Sequence, residues 1–293
     1  MLKRSAFCTL KQIGELECLH IEHPKFSAEI CLQGSQLTRF KHRQHGDLLW
    51  LSPMAHYKKG ASVRGGIPIC WPWFGGLAFN PEAVKSAVRS NLAHGFAREL
   101  PWSIEEIKES AQGVRLILAL THNEDTLKIW PHEFILTCQF ELGDDIKIEL
   151  TTQNLGSSDM AISQALHTYL PTQSIHDTRV LGAGNGSYID ALDEWQLKKQ
   201  HGAIGFSQEV DRIYLGGNQY QILTPNKHLS LTSNSQSSIV WNPWVNKSKR
   251  LSGFPKEGYK NMLCIESANV LSDHLKLASG ESHSLKMQLS CSG

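Results

Sequence analysis

The clearest β-hairpin in the chain is Phe134-Ile135-Leu136-Thr137-Cys138-Gln139-Phe140, Gly143-Asp144-Asp145 and Ile146-Lys147-Ile148-Glu149-Leu150-Thr151. The two outer runs have the length and the β-branched, aromatic and apolar content of strands, and the Gly-Asp-Asp group between them is typical of a tight turn. The hairpin therefore predicts two neighbouring antiparallel strands. It also indicates the class of fold to look for on either side.

Short strand-like runs recur on both sides of this hairpin. Clusters of Gly, Asn, Ser and Pro separate them, and they lie at residues 26–32, 37–40, 47–51, 114–120, 160–170, 229–233, 239–241, 262–268 and 285–289. Residues 80–90 have only a weak helical pattern, and a sustained 3.6-residue period is absent. Many short strands with few short helices predict an all-β fold, a large antiparallel β-sandwich. No linker or repeat divides the chain, so we expect residues 1–293 to form a single domain.

The composition excludes some classes of partner. Lys and Arg number 29 against 28 Asp and Glu, a formal net charge of +1, so no global field would hold nucleic acid or an anionic membrane. The seven cysteines are scattered and never spaced C-x-x-C, which is typical of reduced, buried thiols. The N-terminus lacks the apolar run of a signal peptide, and no segment approaches the ~18 apolar residues of a membrane span. We expect a cytoplasmic monomer that binds anions through local groups.

One loop combines glycine, proline and aromatic residues more densely than any other stretch. It is Val63-Arg64-Gly65-Gly66-Ile67-Pro68-Ile69-Cys70-Trp71-Pro72-Trp73-Phe74-Gly75-Gly76. Glycine allows close approach of main chain to a ligand, and proline stiffens the segment. Arg64 offers a planar fork of donors for a carboxylate or phosphate, and Trp71, Trp73 and Phe74 offer flat apolar faces. This mixture suits a sugar that carries an anion. The alternative is a buried tryptophan corner with Arg64 in a structural ion pair.

Two ionisable residues lie inside strand patterns. In residues 160–170, His167 shares one face with Ser163, Ala165 and Tyr169, since side chains alternate across a strand. Glu266 lies in Cys264-Ile265-Glu266-Ser267-Ala268, where a charge needs a partner or a cleft because its desolvation is costly. Each residue alone also fits a structural role. Together they are a candidate acid and base.

A series of short motifs follows in order along the chain. They are Arg64-Gly65-Gly66-Ile67-Pro68 with Trp71-Pro72-Trp73-Phe74-Gly75, then His94-Gly95-Phe96-Ala97-Arg98, Ala165-Leu166-His167-Thr168-Tyr169, Tyr188-Ile189-Asp190, Val210-Asp211-Arg212-Ile213-Tyr214, Trp241-Asn242-Pro243-Trp244 and Cys264-Ile265-Glu266-Ser267-Ala268. In this order they resemble the glucose-6-phosphate 1-epimerases, or hexose-6-phosphate mutarotases, of the aldose 1-epimerase-like group. The resemblance spans nearly the whole chain.

The resemblance implies a galactose mutarotase-like β-supersandwich whose concave sheet binds a hexose phosphate. In such a protein His167 and Glu266 match the catalytic pair, and Arg64, Arg98 and Asp211 match substrate-contact positions.

The motif around Arg98 also contains His94, which we group with the substrate-binding residues. Ala93, just before it, occupies a place where some relatives carry a glutamine that touches substrate. That contact does not transfer to this chain, so the resemblance leaves the preference among hexose phosphates open.

Interconversion of α and β anomers requires ring opening, rotation about C1–C2 and closure on the other face of the aldehyde. One group takes the proton of the C1 hydroxyl while another gives a proton to the ring oxygen, and no cofactor is needed. Glutamate and histidine have ordinary pKa values of about 4.3 and 6.5, so an ionised base can stand beside a partly protonated acid near neutrality. We therefore assign Glu266 as the base and His167 as the acid.

Three other functions use the same features. A non-catalytic carbohydrate-binding protein could use the concave sheet and the aromatic loop, although the intact acid and base speak against it. A mutarotase for unphosphorylated aldoses would use the same pair. Another acid/base isomerase or lyase acting on sugars is the third alternative.

The fourteen histidines raise the question of a metal. None are spaced H-x-x-x-H, and the pairs His20/His23 and His42/His45 lie in apparent loop or N-terminal strand segments, where we expect no cysteine or carboxylate to join them in a site. We therefore expect no metal site. A dinucleotide site would need a helix after Gly182-Ala183-Gly184-Asn185-Gly186, and residues 190–200 are the candidate for it.

Overall fold

A computed structural model describes residues 5–183 and 186–292. These residues form 22 strands and three short helices. The strands are β1 (Cys8–Ile13), β2 (Leu16–Glu22), β3 (Phe26–Cys31), β4 (Gln36–His42), β5 (Gly46–Asp47), β6 (Ile69–Cys70), β7 (Ser103–Glu109), β8 (Val114–Thr121), β9 (Phe134–Leu142), β10 (Ile146–Asn154), β11 (Met160–Ile162), β12 (Gln164–Pro171), β13 (Arg179–Leu181), β14 (Ser187–Asp190), β15 (Gln196–Lys199), β16 (Val210–Leu215), β17 (Gln219–Leu223), β18 (His228–Ser233), β19 (Ser237–Asn242), β20 (Met262–Asn269), β21 (Leu275–Leu277) and β22 (Ser282–Ser292). The helices are α1 (Glu82–Lys85), α2 (Glu124–Ile129) and α3 (Trp244–Ser248).

The strands form an antiparallel sandwich, as predicted. An eight-stranded sheet has the order β13-β17-β18-β22-β10-β9-β8-β7, and a seven-stranded sheet has the order β15-β14-β16-β19-β20-β12-β6. An N-terminal sheet runs in sequence order from β1 to β5, and β11 pairs with β21. The predicted hairpin lies inside the eight-stranded sheet, where Ile146 of β10 is opposite Leu142 of β9.

The main core lies between the two large sheets. Leu136 and Leu150 of the eight-stranded sheet belong to the same buried cluster as Leu166 and Ile265 of the seven-stranded sheet. Because side chains alternate across a strand, the neighbours of Leu166 and Ile265 point to the other face of the seven-stranded sheet. That second face carries a separate apolar cluster, which includes Ala165, Tyr169, Ile239, Trp241 and Cys264. His167 and Glu266 therefore point away from the main core.

Two strand predictions need correction. Residues 47–51 do not form one strand: β5 ends at Asp47, and Leu51 only bridges Gly65 in isolation. The run is apolar because Leu48 and Leu49 are buried, not because it is a sheet strand. Residues 160–170 are also divided, since Ser163 separates β11 from β12 and donates its main-chain N–H to the carbonyl of Pro72 at 3.0 Å.

The helix that a dinucleotide site would need is absent from residues 190–200. Residues 190–200 contain the turn and second strand of the hairpin β14–β15, with Asp190 opposite Gln196. Gly184 and Asn185 of the glycine-bearing run lie outside the described residues. The weak helical pattern at residues 80–90 corresponds to the single turn of α1.

The cysteine prediction is confirmed for the described residues. All seven cysteines are free thiols, and six of them are buried. None of the helices in residues 5–183 and 186–292 has the length and apolarity needed to span a bilayer.

Candidate active site

A cleft opens on the second face of the seven-stranded sheet. Its inner part is a cavity of about 290 Å³ whose lining combines ionisable and aromatic side chains, among them Phe74, His167, Asp211, Trp241 and Glu266. Phe74 lies in the Arg64 loop, but adjacent strands supply the other four groups, so sheet register fixes their positions. The sheet therefore holds these side chains in fixed positions.

The predicted acid and base are brought together by strand pairing. His167 of β12 is directly opposite Glu266 of β20, and Nε2 of His167 lies 3.4 Å from Oε1 of Glu266. Their side chains are 13% and 2% exposed. Within the part of the chain that the structure describes, Nδ1 of His167 and Oε2 of Glu266 have no hydrogen-bond partner. The pair thus contains two buried polar atoms without a protein partner.

Burial shifts the pKa values of His167 and Glu266 in opposite directions. Desolvation, with positive charge from Arg64 and Arg98 and the neighbouring His94, holds the pKa of His167 well below its ordinary value. Desolvation and the Asp211 carboxylate raise the pKa of Glu266 well above its ordinary value. These surroundings favour a neutral imidazole beside a protonated carboxyl. The sequence-based picture of an ionised base beside a partly protonated acid used unshifted values and does not describe this resting state.

Tyr169 supports the pair from the same strand. Its ring stacks on that of His167 with centroids 4.8 Å apart and planes 9° apart, and its hydroxyl lies 3.4 Å from Nη1 of Arg64. The sequence analysis did not assign Tyr169 a role. The alternation of β12 could have indicated it, since Tyr169 follows His167 by two residues and shares its face.

His94 lies above the pair in a left-handed backbone conformation, with φ of 65°. Its Nδ1 accepts the main-chain N–H of Gly75 at 3.2 Å, so the neutral ring carries its proton on Nε2. Burial, followed by the charges of Arg98 and Arg64, lowers the pKa of His94 to about 3. The ring is therefore a neutral donor close to His167, with the two ring centroids 6.0 Å apart.

Arg64 and Arg98 line a second, polar cavity of about 630 Å³, which shares Arg64, His94 and His167 with the inner one. Nε of Arg64 approaches the carbonyl of Ser252 at 3.4 Å, and no described acidic group forms an ion pair with it. Nη2 of Arg98 donates to the carbonyl of Ala93 at 2.8 Å. Nε of Arg98 lies 3.9 Å from Oε1 of Glu99.

The lining of the polar cavity includes two side chains that sequence patterns did not indicate. His56 and Lys58 lie in its lining beside Arg64 and Arg98. Both precede Arg64 in the same chain segment, so a cluster of basic residues before the loop was the available signal. Lys58 adds positive charge to this part of the cleft.

Asp211 lies in the inner cavity, as a substrate-binding role requires, but it is not free. Nζ of Lys247 lies 3.3 Å from Asp211 and 3.3 Å from Glu209, and 5.7 Å from the centre of the Trp241 ring. Burial raises the pKa of Asp211, and Lys247 opposes that rise. Sequence patterns did not indicate Lys247, because its contact with Asp211 depends on how α3 packs against β16.

Two of the three predicted aromatic faces do not reach the cleft. Trp71 and Trp73 are 0% exposed, and their indole N–H groups donate to Thr152 Oγ1 at 2.9 Å and to the carbonyl of Leu92 at 2.8 Å. The prediction that they offer surfaces to a sugar was wrong, and the alternative of a buried tryptophan corner describes them. Phe74 alone of the three lines the inner cavity.

The expectation that no carboxylate joins the histidine pairs also needs correction. Nε2 of His20 lies 3.5 Å from Oε2 of Glu29, and Nε2 of His42 lies 3.7 Å from Oδ1 of Asp144. Strand pairing and turn packing create both contacts, so spacing along the chain could not show them.

The fold and the cleft are those of the galactose mutarotase-like sandwiches. A crystal structure of a provisionally named mutarotase from Salmonella typhimurium matches with a TM-score of 0.90 and 28% identity, covering 100% of this chain and 96% of that one. The sequence profile described as aldose 1-epimerase matches residues 17–290, and the chain belongs to this family.

Named relatives agree with this assignment. A provisionally named glucose-6-phosphate 1-epimerase of Escherichia coli strain K12 is 33% identical over 263 residues, which cover 88% of this chain and 85% of that protein. A protein of the same provisional name from Cenchrus ciliaris is 34% identical over 258 residues, covering 83% of this chain and 75% of its own. The chain is accordingly an epimerase, an isomerase that acts on a sugar.

Proposed function

We propose that the protein interconverts the α and β anomers of a hexose 6-phosphate without a cofactor, with glucose 6-phosphate as the first candidate. Glu266 is the base and His167 is the acid. The observation that carries the substrate class is the polar cavity with Arg64 and Arg98, which adjoins the His167–Glu266 cavity. The names of the relatives point to the same substrate class.

The reaction needs one proton on the pair. In the ring form, the Glu266 carboxylate takes the C1 hydroxyl proton while protonated His167 gives its proton to the ring oxygen, and the bond between C1 and the ring oxygen breaks. The product is an open-chain aldehyde, with the carboxyl now protonated and the imidazole neutral. Rotation about C1–C2 and the reverse transfers close the ring on the other face and restore both groups.

The pKa shifts fit this cycle. The neutral His167 imidazole beside the protonated Glu266 carboxyl is the arrangement that closes the open-chain sugar. The charged arrangement that opens the ring differs from it by one proton transfer across the 3.4 Å contact, with no change in net charge. Substrate hydroxyls that hydrogen-bond to the Glu266 carboxylate favour the charged arrangement, since hydrogen bonds to a charged form stabilise it.

The phosphate is expected to lie between the two guanidinium groups. Charge-assisted hydrogen bonds contribute about 1.5–3 kcal/mol each, roughly ten- to a hundredfold in affinity. The Ala93 carbonyl holds Nη2 of Arg98, so a main-chain atom orients this arginine at the position where some relatives carry a glutamine. Lys58 adds positive charge to the same cavity.

Arg98→Ala tests the substrate class. We expect a large rise in KM for glucose 6-phosphate and little change in the use of free glucose, because an anion-binding group acts only on substrates that carry the anion. Arg89→Ala is the matched control, since Arg89 is exposed and lies outside the lining of both cavities. Equal losses on both sugars would mark Arg98 as structural.

A mutarotase for unphosphorylated aldoses is the second candidate. The contact between Arg98 and Glu99 favours it, because a guanidinium that already faces a carboxylate has less positive charge to offer a phosphate. Wild-type protein that prefers free glucose or galactose over glucose 6-phosphate would establish this alternative.

A further inference from the structure

The N-terminal sheet carries a group of polar side chains that the proposed reaction does not use. Cys18 and His20 project from one face of β2, and Glu29 and Cys31 project from the same face of β3, since residues two apart in a strand share a face. Strand pairing places Cys18 directly opposite Cys31 and His20 directly opposite Glu29. We call these four residues the N-terminal cluster.

The donor atoms of Cys18, Glu29 and Cys31 converge, and His20 adjoins this group through its contact with Glu29. The two sulfur atoms and a carboxylate oxygen of Glu29 all lie within 4.8 Å of one another, and Nε2 of His20 lies 3.5 Å from Oε2 of Glu29. Cys18 and Cys31 are 0% exposed and Glu29 is 5% exposed. The His20 side chain is 21% exposed, so it forms the side of the cluster that faces solvent.

We propose that the N-terminal cluster binds one divalent cation of the Zn²⁺ type, with Cys18, His20, Glu29 and Cys31 as its four ligands. Two thiolates, an imidazole and a carboxylate are ligands that zinc takes in four-coordinate sites. Nitrogen and oxygen ligands bind zinc at about 2.0–2.2 Å, so two of them at a tetrahedral angle are about 3.4 Å apart. The 3.5 Å separation of His20 Nε2 and Glu29 Oε2 matches this spacing.

The surrounding hydrogen bonds leave the required atoms available. Oε1 of Glu29 accepts the hydroxyls of Thr38 and Tyr57, both at 2.6 Å, which orients the carboxylate and turns Oε2 toward His20. Nε2 of His20 has no hydrogen-bond partner among the described residues. Outer-shell donors of this kind fix the orientation of metal-binding side chains.

Metal binding must displace protons. Cysteine binds a metal ion as the thiolate, so each thiol must give up its proton. Two sulfur–hydrogen bonds are replaced by two sulfur–metal bonds, and two protons leave for each ion bound. Hard cations such as Mg²⁺ do not compensate this loss, because they prefer oxygen ligands.

The bound ion would stabilise the position of the segment that leads to Arg64. Leu51, Ala55, Tyr57 and Val63 pack over Cys18 and Cys31 and cover this face of the sheet. Tyr57 is tied to the ligand Glu29 through its hydroxyl. The site therefore couples a metal to the position of a loop at the active cleft, while it contributes no group to proton transfer.

Titration of the reduced, full-length protein with Co²⁺ tests the proposal. We expect one ion per chain, a near-ultraviolet thiolate-to-cobalt band with visible bands of tetrahedral cobalt, release of two protons per ion, and displacement by Zn²⁺ but not by Mg²⁺. Wild-type protein without a thiolate band would overturn the proposal, as would a Cys18–Cys31 disulfide found by mass spectrometry in protein prepared without oxidant.

Variants locate the site. Cys31→Ser is expected to weaken Co²⁺ binding by about a hundredfold or more, since even the loss of an outer-shell partner costs about 10–100-fold. Cys8→Ser is the matched control, because Cys8 is a buried cysteine of the same sheet that packs in the main core. Equal affinity of Cys31→Ser and wild type would overturn the assignment. If Cys31→Ser does not fold, the band and stoichiometry of the wild type decide the question.

Discussion

Single residues in the cleft have protonation states that their surroundings set. Glu266 is buried and His167 and His94 are mostly buried, and desolvation disfavours the charged form of each. Desolvation disfavours both the charged Glu266 and the charged His167. The neutral and the charged arrangements of the pair differ by one proton transfer. The pair is suited to moving a proton in both directions, which anomer exchange requires.

Replacement of either member should remove catalysis without removing the fold. Glu266→Gln and His167→Asn are each expected to lower the rate of anomer exchange by about 10²-fold or more, the usual loss for an acid or base group. Saturation-transfer NMR measures the exchange rate. Glu141→Gln on the eight-stranded sheet is the control. Near-normal exchange in Glu266→Gln would show that the base has been misassigned.

His94 gives a prediction about stability and pH. Its pKa is about 3 in the folded protein and about 6.5 when unfolded, so the unfolded chain takes up the proton first as pH falls. The contribution of His94 to stability is present above about pH 6.5 and is lost toward lower pH, by up to ~1.4 kcal/mol per pH unit. Burial of Glu266 has the opposite sign, because its folded pKa is raised and its contribution is lost as pH rises.

His94→Asn isolates this contribution, since asparagine tolerates the left-handed backbone that His94 adopts. Urea unfolding between about pH 6.5 and pH 4 should show a flatter pH dependence for the variant than for the wild type. Parallel curves for the two proteins would contradict the assignment of His94 as a buried neutral group.

At the scale of elements, the loop that carries Arg64 is held by close main-chain contact with β4. Gly66 has φ of 63°, and a Cβ atom there would lie 2.2 Å from the carbonyl oxygen of Leu37. The N–H of Ile67 donates to the same oxygen at 2.9 Å. Glycine is therefore required here both by backbone conformation and by space.

Gly66→Ala is expected to destabilise the protein and to raise KM for glucose 6-phosphate, because the clash must move the loop that positions Arg64. Gly60→Ala is the matched control: φ there is 71°, and nothing lies within 4 Å of the added Cβ. The unfolding free energy of the control variant should fall only by the cost of placing alanine in a left-handed conformation, about 1–2 kcal/mol. Equal loss of unfolding free energy in both variants, with KM unchanged, would contradict this account of the loop.

Local patterns were sufficient for the hairpin β9–β10 and for the face of His167, because both depend on the two-residue period of a strand. They could not separate β11 from β12, since the break at Ser163 arises from a bond to a distant loop. The sequence around Trp71 does not distinguish a buried side chain from one that faces a ligand. Contacts such as His20 with Glu29 exist only through strand register, which sequence spacing does not show.

At the scale of the whole molecule, one buried cluster joins the three main sheets. It includes Phe26 of the N-terminal sheet, Leu136 of the eight-stranded sheet and Ile265 of the seven-stranded sheet. We propose from this continuity that residues 1–293 are a single domain, since a shared core couples the stability of the parts it joins.

Thermal or urea unfolding should therefore show one cooperative transition, with far-ultraviolet circular dichroism and tryptophan fluorescence giving the same midpoint. Gel filtration with light scattering should give the monomer mass of 32.8 kDa. Two separated transitions would contradict the single domain, and a larger mass would contradict the monomer.

The most direct test of the central proposal is proton NMR measurement of exchange between the α and β anomers of glucose 6-phosphate, with free glucose measured in parallel. We expect the wild-type protein to accelerate exchange of glucose 6-phosphate with a higher kcat/KM than for glucose, since only the phosphorylated sugar can use the cavity of Arg64 and Arg98. Exchange of glucose at an equal or greater kcat/KM, or no acceleration of either sugar, would contradict the proposal.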